Sequence, residues 1–457
     1  MPDSTLGVLI LAAGKGTRMK SALPKVLFPI LDKPMLGYLL KTILEDGFGD
    51  VAVLVGHEGE RVRDYLRIFP SVEVLWQEEQ LGTGHAVQVA RPWWGRFRQL
   101  LVLNGDLPFL SSDTLKSFVQ EHRGAGAGCS LLSFVTERPD GYGRVLRGPE
   151  GVFVVEHKDA SPEQRLVREV NAGCYVFATE ALSRVIGRLK NRNAQGEYYL
   201  PDVVALMNTE GLKAHAAVAG EDELLGVNTQ AELAEMTRRM RDSLVQGWMA
   251  MGVRVMDPSA VWIGPDVKLA PGVCLMPGAQ IWGNSVVGEN STVGPCCILR
   301  NAVLGREVTL TAHVIVEDSE LRDGSKAGPF AYIREGSLLG ERAFAGKFVE
   351  LKKTSVGKGS KVPHLSYMGD AVLGEDVNIG AGSVTCNYDG KNKFPTKIGD
   401  RCFVGSDTMM VAPVTLGDDS ATAAGSTVTA DVPEGALAVG RARQKNIEGW
   451  TRARRRR

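Results

Sequence analysis

The chain is 457 residues long, 44% apolar and 23% charged, with 53 Lys and Arg set against 53 Asp and Glu. That profile excludes a mostly disordered chain, and a formal net charge of zero excludes a surface given over wholly to nucleic acid. At about 150 residues per domain, the length makes room for about three units.

The first apolar run, Val8 to Ala13, lacks a preceding basic region and leads into Gly14-Lys15-Gly16. It reads as a first buried strand, not a signal peptide. No stretch approaches the about 18 to 20 apolar residues of a membrane helix, so no membrane span and a cytoplasmic location are expected. The seven cysteines contain no Cys-x-x-Cys pair. This scatter fits buried thiols in a reducing compartment and speaks against a disulfide framework or a zinc site.

Val51–Val55 and Leu100–Leu103 are further continuous apolar runs, the pattern of strands covered on both faces. A helical pattern follows Pro34, with proline expected in its first turn. Strand, helix, strand implies a parallel α/β sheet over residues 1–230. Residues 231–251 read as one linker helix. Thr229 and Glu232 have capping-box spacing, and Leu233, Met236, Met240, Leu244 and Trp248 form one stripe.

From residue 252 onward an aliphatic residue followed by Gly recurs at Ile263, Val287, Leu304, Leu339, Val356, Leu373, Ile398 and Leu416. The intervals are 24, 17, 35, 17, 17, 25 and 18. Seventeen or eighteen residues make three hexapeptides, each a short strand and a turn, and so one coil of a triangular β-solenoid. Intervals of 24 and 25 call for an extra loop, with 387–393 the obvious one. The end of the chain, Arg441 to Arg457, is rich in arginine and reads as a solvated, mobile tail.

The chemistry is carried by two sets of motifs. In the first, Gly14-Lys15-Gly16-Thr17-Arg18 precedes Pro24-Lys25. The glycines let backbone N–H groups approach phosphate, and Arg18 and Lys25 add positive charge. Neither a P-loop nor a dinucleotide fingerprint fits, because no Gly-Lys-Ser/Thr follows and Met19 stands where a third Gly would be. This stretch resembles the sugar-nucleotidyltransferase family. The resemblance implies a nucleotide site of Leu11, Ala12, Gly14, Lys25, Gln77, Gly82, Thr83, Asn104, Asp106, Gly143, Glu156, Asn171 and Asn228. Gln77 and Leu81–Gly84 would read the base. Tyr142-Gly143-Arg144, Glu156 and Asn171 would hold the sugar phosphate. Asp106 and Asn228 would hold Mg²⁺, with Arg18 and Lys25 acting on the phosphates.

The second set comprises Arg334, Phe348–Lys353, His364–Asp370, Asn378–Gly382, Cys386–Gly390 and Gly405–Asp407. It resembles the acetyltransferase half of the bacterial bifunctional GlmU family, and the order of segments is similar over essentially the whole chain. The resemblance implies acetyl transfer from acetyl-CoA to glucosamine 1-phosphate, then uridylyl transfer from UTP to N-acetylglucosamine 1-phosphate. His364 would be the base, since histidine titrates near neutral pH, with Glu350 as its helper. Arg334, Lys352 and Lys393 would bind the sugar phosphate; Tyr367, Asn378 and Asn387 would hold the sugar and the reacting centre. Ala381, Asn387, Tyr388, Ser406, Ala424 and Arg441 would line the coenzyme A site. A homotrimer is implied, with no nucleic-acid partner. Asn378 could instead join an asparagine ladder inside the solenoid.

The expected fold class is α/β. A Rossmann-like nucleotidyltransferase domain covers 1–230, a linker helix 231–251, and a left-handed parallel β-helix of hexapeptide repeats, the acetyltransferase domain with its basic tail, 252–457. A single-activity nucleotidyltransferase with a scaffolding solenoid, and a non-catalytic sensor, remain open as alternatives at this level.

Overall fold

The computed structural model describes residues 5–149 and 151–454. The chain forms two compact units that divide between Thr237 and Arg238. The division falls inside the helix Gln230–Ala250, not at either end of it.

The first unit is built on one sheet. Its strands run in the order Ala214–Val218, Cys129–Val135, Glu169–Ala178, Gln99–Asn104, Leu6–Ala12, Asp50–Val55 and Val72–Trp76. Leu6–Ala12 lies parallel to both Asp50–Val55 and Gln99–Asn104. The sheet is mixed, however, not wholly parallel: Glu169–Ala178 runs antiparallel to both of its neighbours. Alternate residues of Leu6–Ala12 enter different cores. Val8 and Ile10 join one apolar cluster and Leu9 the other. Two covered faces account for the unbroken apolar run in the sequence. Pro34 stands at the N-cap of Met35–Glu45, outside the first helical turn, in extended backbone (φ −55°, ψ 145°).

At the start of Gln230–Ala250 the capping box is half made. Thr229 Oγ1 accepts the Glu232 N–H at 3.2 Å, but the Glu232 carboxylate accepts from Asn228 N–H, at 2.6 Å, instead of from Thr229. Leu233 and Met236 are buried in the stripe; in the later turns Val245 is buried and Leu244 only half so.

The second unit is a three-sided parallel β-helix, its sheets holding 11, 10 and 9 strands, mostly of two or three residues. In most of the short strands one residue points inward and stacks on its register partner, as Leu299 does on Val316 and Ile281. The glycine after it makes room for the next coil: a Cβ on Gly357 would lie 2.1 Å from the Gly374 carbonyl oxygen.

One interval has a different origin from the one expected. Ile263 lies on the face of Gln280–Trp282, whereas Val287 lies on the next face. The 24-residue spacing is therefore one coil plus one side, not an inserted loop. The position equivalent to Val287-Gly288 is Leu269-Ala270, where Ala replaces Gly. The 25-residue interval does contain a loop, pinned by a bridge between Tyr388 and Lys393 and by Asp389 Oδ1, which accepts from the N–H groups of Lys391 and Asn392.

The C-terminal arginines Arg455, Arg456 and Arg457 lie outside the described residues. Before them, Trp450–Arg454 is a short helix in which the Arg454 guanidinium sits 4.7 Å from the Trp450 ring centroid, more order than a solvated tail implies. Among the described residues, no helix is long and apolar enough to cross a membrane.

Candidate active sites

In the first unit a cleft of about 830 Å³ opens at the C-terminal ends of the parallel strands, where α/β sheets place their ligands. All thirteen residues expected at the nucleotide site line it, together with Arg18. Gly16 takes φ +57° to begin the short turn Thr17–Met19, which carries Arg18. Pro24 then caps the turn Lys25–Leu27. Lys25 Nζ forms an ion pair with Asp106 Oδ2 and donates to Asn228 Oδ1 at 2.7 Å. Arg18 Nη2 donates to the same Asn228 oxygen at 2.8 Å.

Asp106 and Asn228 oxygens therefore lie within reach of one ammonium group. Two hard oxygen donors converging on one cation fit Mg²⁺, which takes one or two protein oxygens and completes its shell with water and phosphate. Among the described residues, no group of three or more His, Cys, Asp or Glu gathers to hold a metal by itself.

Farther along the cleft, Gly143 and Glu156 touch: a Cβ on Gly143 would lie 3.2 Å from Glu156 Oε1. The Asn171 N–H donates to Gly143 O at 2.8 Å, and its side chain donates to the Tyr175 hydroxyl at 2.7 Å. Burial raises the Glu156 pKa, reinforced by Asp202, Asp159 and Glu197. That end of the cleft suits a hydroxyl-rich ligand more than a second anion.

Arg144 does not line the cleft. It is fully buried, and its guanidinium donates to the backbone carbonyls of Tyr142 and Arg165. It braces the turn that carries Gly143. The Thr83 hydroxyl accepts from Leu200 N–H at 3.1 Å, which ties the Leu81–Gly84 segment to the chain at Tyr198–Leu200. Tyr175, Lys158 and Gln195 also line the cleft, without having been singled out in the sequence. They come from segments with no motif of their own; only their approach in space marks them.

On the solenoid, the register sets out two rows. Lys347 pairs with His364; continuing the stack, Ala381, Ser406 and Ala424 take the same corner in the following coils. Around that corner, Arg334 and Lys352 stand in equivalent positions of adjacent coils, at the strand spacing of about 4.8 Å. Arg334 Nη1 donates to Glu350 Oε1 at 2.8 Å. Glu350 is thereby engaged with Arg334; among the described residues His364 has no side-chain hydrogen bond, and it is exposed. Lys393 lies within hydrogen-bonding reach of Lys352; that contact, and then charge repulsion, lowers the Lys352 pKa, while the same contact raises that of Lys393, so Lys352 is the one that yields its proton. Asn387 is buried and donates to Asp370 Oδ2 at 2.5 Å. Asn378 has Lys361 and Phe403 as its stacking neighbours, so no asparagine ladder forms. Tyr388 and Arg441 are exposed, and Tyr388 donates its hydroxyl to Gly390 O.

Comparison with known proteins agrees in both units. Residues 8–218 match the family model of the MobA-like NTP transferase domain, and 395–430 match the hexapeptide repeat of succinyl-transferase. The bifunctional protein GlmU of Thermus thermophilus is 47% identical over 447 residues, 97% of this chain and 97% of its own. That of Exiguobacterium sibiricum is 45% identical over 95% of this chain and 97% of its own, and that of Stutzerimonas stutzeri 42% over 98% and 99%. The chain belongs to the bifunctional GlmU family. Membership covers both units, and the β-helix of this family is left-handed.

Proposed function

We propose that this protein makes UDP-N-acetylglucosamine by two transfers, one on each unit. The solenoid acetylates glucosamine 1-phosphate with acetyl-CoA, and the α/β unit then joins the product to UMP from UTP, releasing pyrophosphate. The observation that carries this reading is the gathering of Gly14, Lys25, Gln77, Asp106, Glu156 and Asn228, from separate segments, around one cleft.

In acetyl transfer the sugar ammonium must lose a proton before its nitrogen attacks the thioester carbonyl. His364 takes that proton, being exposed and, among the described residues, without a side-chain hydrogen-bond partner. Arg334, Lys352 and Lys393 hold the phosphate, whose charge relieves the repulsion between the two lysines. The small residues of the Ala381, Ser406 and Ala424 corner leave space for the pantetheine arm.

In uridylyl transfer two anions must be brought together. Lys25 and Arg18 lower that repulsion, and Gly14 offers backbone N–H to the phosphates. Mg²⁺, held by Asp106 and Asn228, would supply further positive charge to the triphosphate. Glu156 and Asn171 position the sugar.

The assembly is a homotrimer in this reading. Support comes from an exposed apolar column beside His364: the His313, Phe330 and Phe348 rings stack at 4.9 and 5.1 Å, and Leu365 continues the column. The location is cytoplasmic, where UTP and acetyl-CoA are made. The deciding experiment offers the full chain glucosamine 1-phosphate, acetyl-CoA and UTP together. Free thiol, pyrophosphate and UDP-N-acetylglucosamine should all appear, with only pyrophosphate and nucleotide sugar suppressed by EDTA. Thiol without pyrophosphate, or the reverse, would remove one of the two activities.

A further inference from the structure

Gln77 lines the cleft, and its amide is held in one orientation. Its backbone is fixed at the end of Val72–Trp76 by hydrogen bonds from its N–H to Val55 O and from Gln80 Nε2 to its carbonyl. Its Nε2 lies 3.3 Å from Gly82 O and 3.0 Å from His85 Nδ1. A backbone carbonyl only accepts, so the atom facing Gly82 is the amide nitrogen, not the oxygen. His85 Nδ1, facing the same nitrogen, must then be an acceptor, which puts the imidazole proton on Nε2. Both amide hydrogens are thus engaged by the protein. Oε1 is the end left for a ligand, with no partner among the described residues.

We propose that His85 is a positioning residue for base choice: its Nδ1 locks the Gln77 amide so that the cleft presents an acceptor, and this selects uracil over cytosine. The proposal rests on the reading of Gln77 as the base-reading side chain. Uracil carries an N3–H donor, whereas cytosine carries a lone pair at N3. An acceptor fixed opposite that position hydrogen-bonds the first and repels the second. A freely turning amide would offer either Oε1 or NH₂ and serve both bases. Discrimination of this kind is strong only where the protein group cannot adapt. The helix Thr83–Val89 that holds His85 is itself fixed by the Gly84 N–H, which donates to Tyr198 O at 2.7 Å.

The test is kcat/KM of the full chain for UTP and for CTP, at saturating N-acetylglucosamine 1-phosphate. His85→Leu should lower the UTP:CTP ratio at least tenfold, chiefly by admitting CTP. His85→Asn, whose Oδ1 can replace the Nδ1 acceptor, should restore most of it. The KM for the sugar phosphate and the rate of acetyl transfer should stay as in the parent. If His85→Leu does not fold, His85→Phe keeps a ring against Tyr198, removes the acceptor and should give the same drop. Gln77→Leu separates the two ideas. A flattened ratio in Gln77→Leu with an unchanged ratio in the His85 variants overturns the role of His85 alone. An unchanged ratio in Gln77→Leu overturns the base-reading role of Gln77, and the proposal with it. Equal losses for both nucleotides in the His85 variants also overturn it.

Discussion

Lys25 and Asn228, 203 residues apart in the chain, meet at 2.7 Å, and the Lys25 ammonium also reaches the Asp106 carboxylate. The ammonium stands between the two oxygens that suit Mg²⁺. In the proposed function, Lys25 exchanges these partners for phosphate oxygens when triphosphate and metal bind. Asn228 and Asp106 together fix the position of the lysine.

Asp106→Ala should therefore abolish pyrophosphate release, by at least 10²- to 10³-fold, the scale of removing one electrostatic contact at a reacting centre. Acetyl transfer should be unchanged, since Asp106 lies in the other compact unit. Assaying both activities on one preparation checks this; loss of both would mean the units do not act independently.

His364→Ala should reduce acetyl transfer by about 10²- to 10⁴-fold, the usual share of a general base. Uridylyl transfer to added N-acetylglucosamine 1-phosphate should remain. Thiol release measured beside pyrophosphate release separates a local chemical defect from general misfolding.

Lys352 and Lys393 make a prediction about pH. Lys393 holds the Lys352 pKa below the usual lysine value, so Lys352 gives up its proton first as pH rises. The positive charge offered to the sugar phosphate falls in the same range, and KM for glucosamine 1-phosphate should climb at alkaline pH before an ordinary lysine would titrate. Lys352→Met should raise that KM about tenfold and flatten its alkaline rise. A Lys352→Met profile parallel to the parent's would dismiss the lysine as a phosphate ligand.

What could be read without coordinates follows from what each signal depends on. The solenoid period shows in the sequence because every coil must stack an aliphatic residue on the last. The face of Ile263 did not show, because Ala270 takes the place of the glycine that marks the equivalent corner. Gly14, Lys25 and Asp106 stood out through local motifs. Glu169–Ala178 reversed direction unseen, since a buried strand has the same apolar content in either direction. The engagement of Glu350 with Arg334, and of His85 with Gln77, depends on side-chain atoms brought together by folding. Residue type alone carries no trace of such pairings.

His122 supplies a prediction about stability. It lies on the buried face of Ser112–Ala125, 2% exposed, with Nδ1 2.8 Å from Ser130 Oγ. Burial, then Arg123 and His215, push its pKa down to about 4. In the unfolded chain it titrates near 6.5. Between these values the unfolded state binds a proton that the folded state refuses, so stability falls as pH drops from 6.5 towards 4 and is unaffected by this group above 6.5. The loss from this one side chain is about 3 kcal/mol at the lower end. His122→Asn keeps a polar partner for Ser130 and removes the titration. Calorimetric melting of the parent and the variant across pH 4 to 7 should show a shallower acid decline in the variant's transition for the first unit. Identical declines would assign the acid sensitivity to other groups.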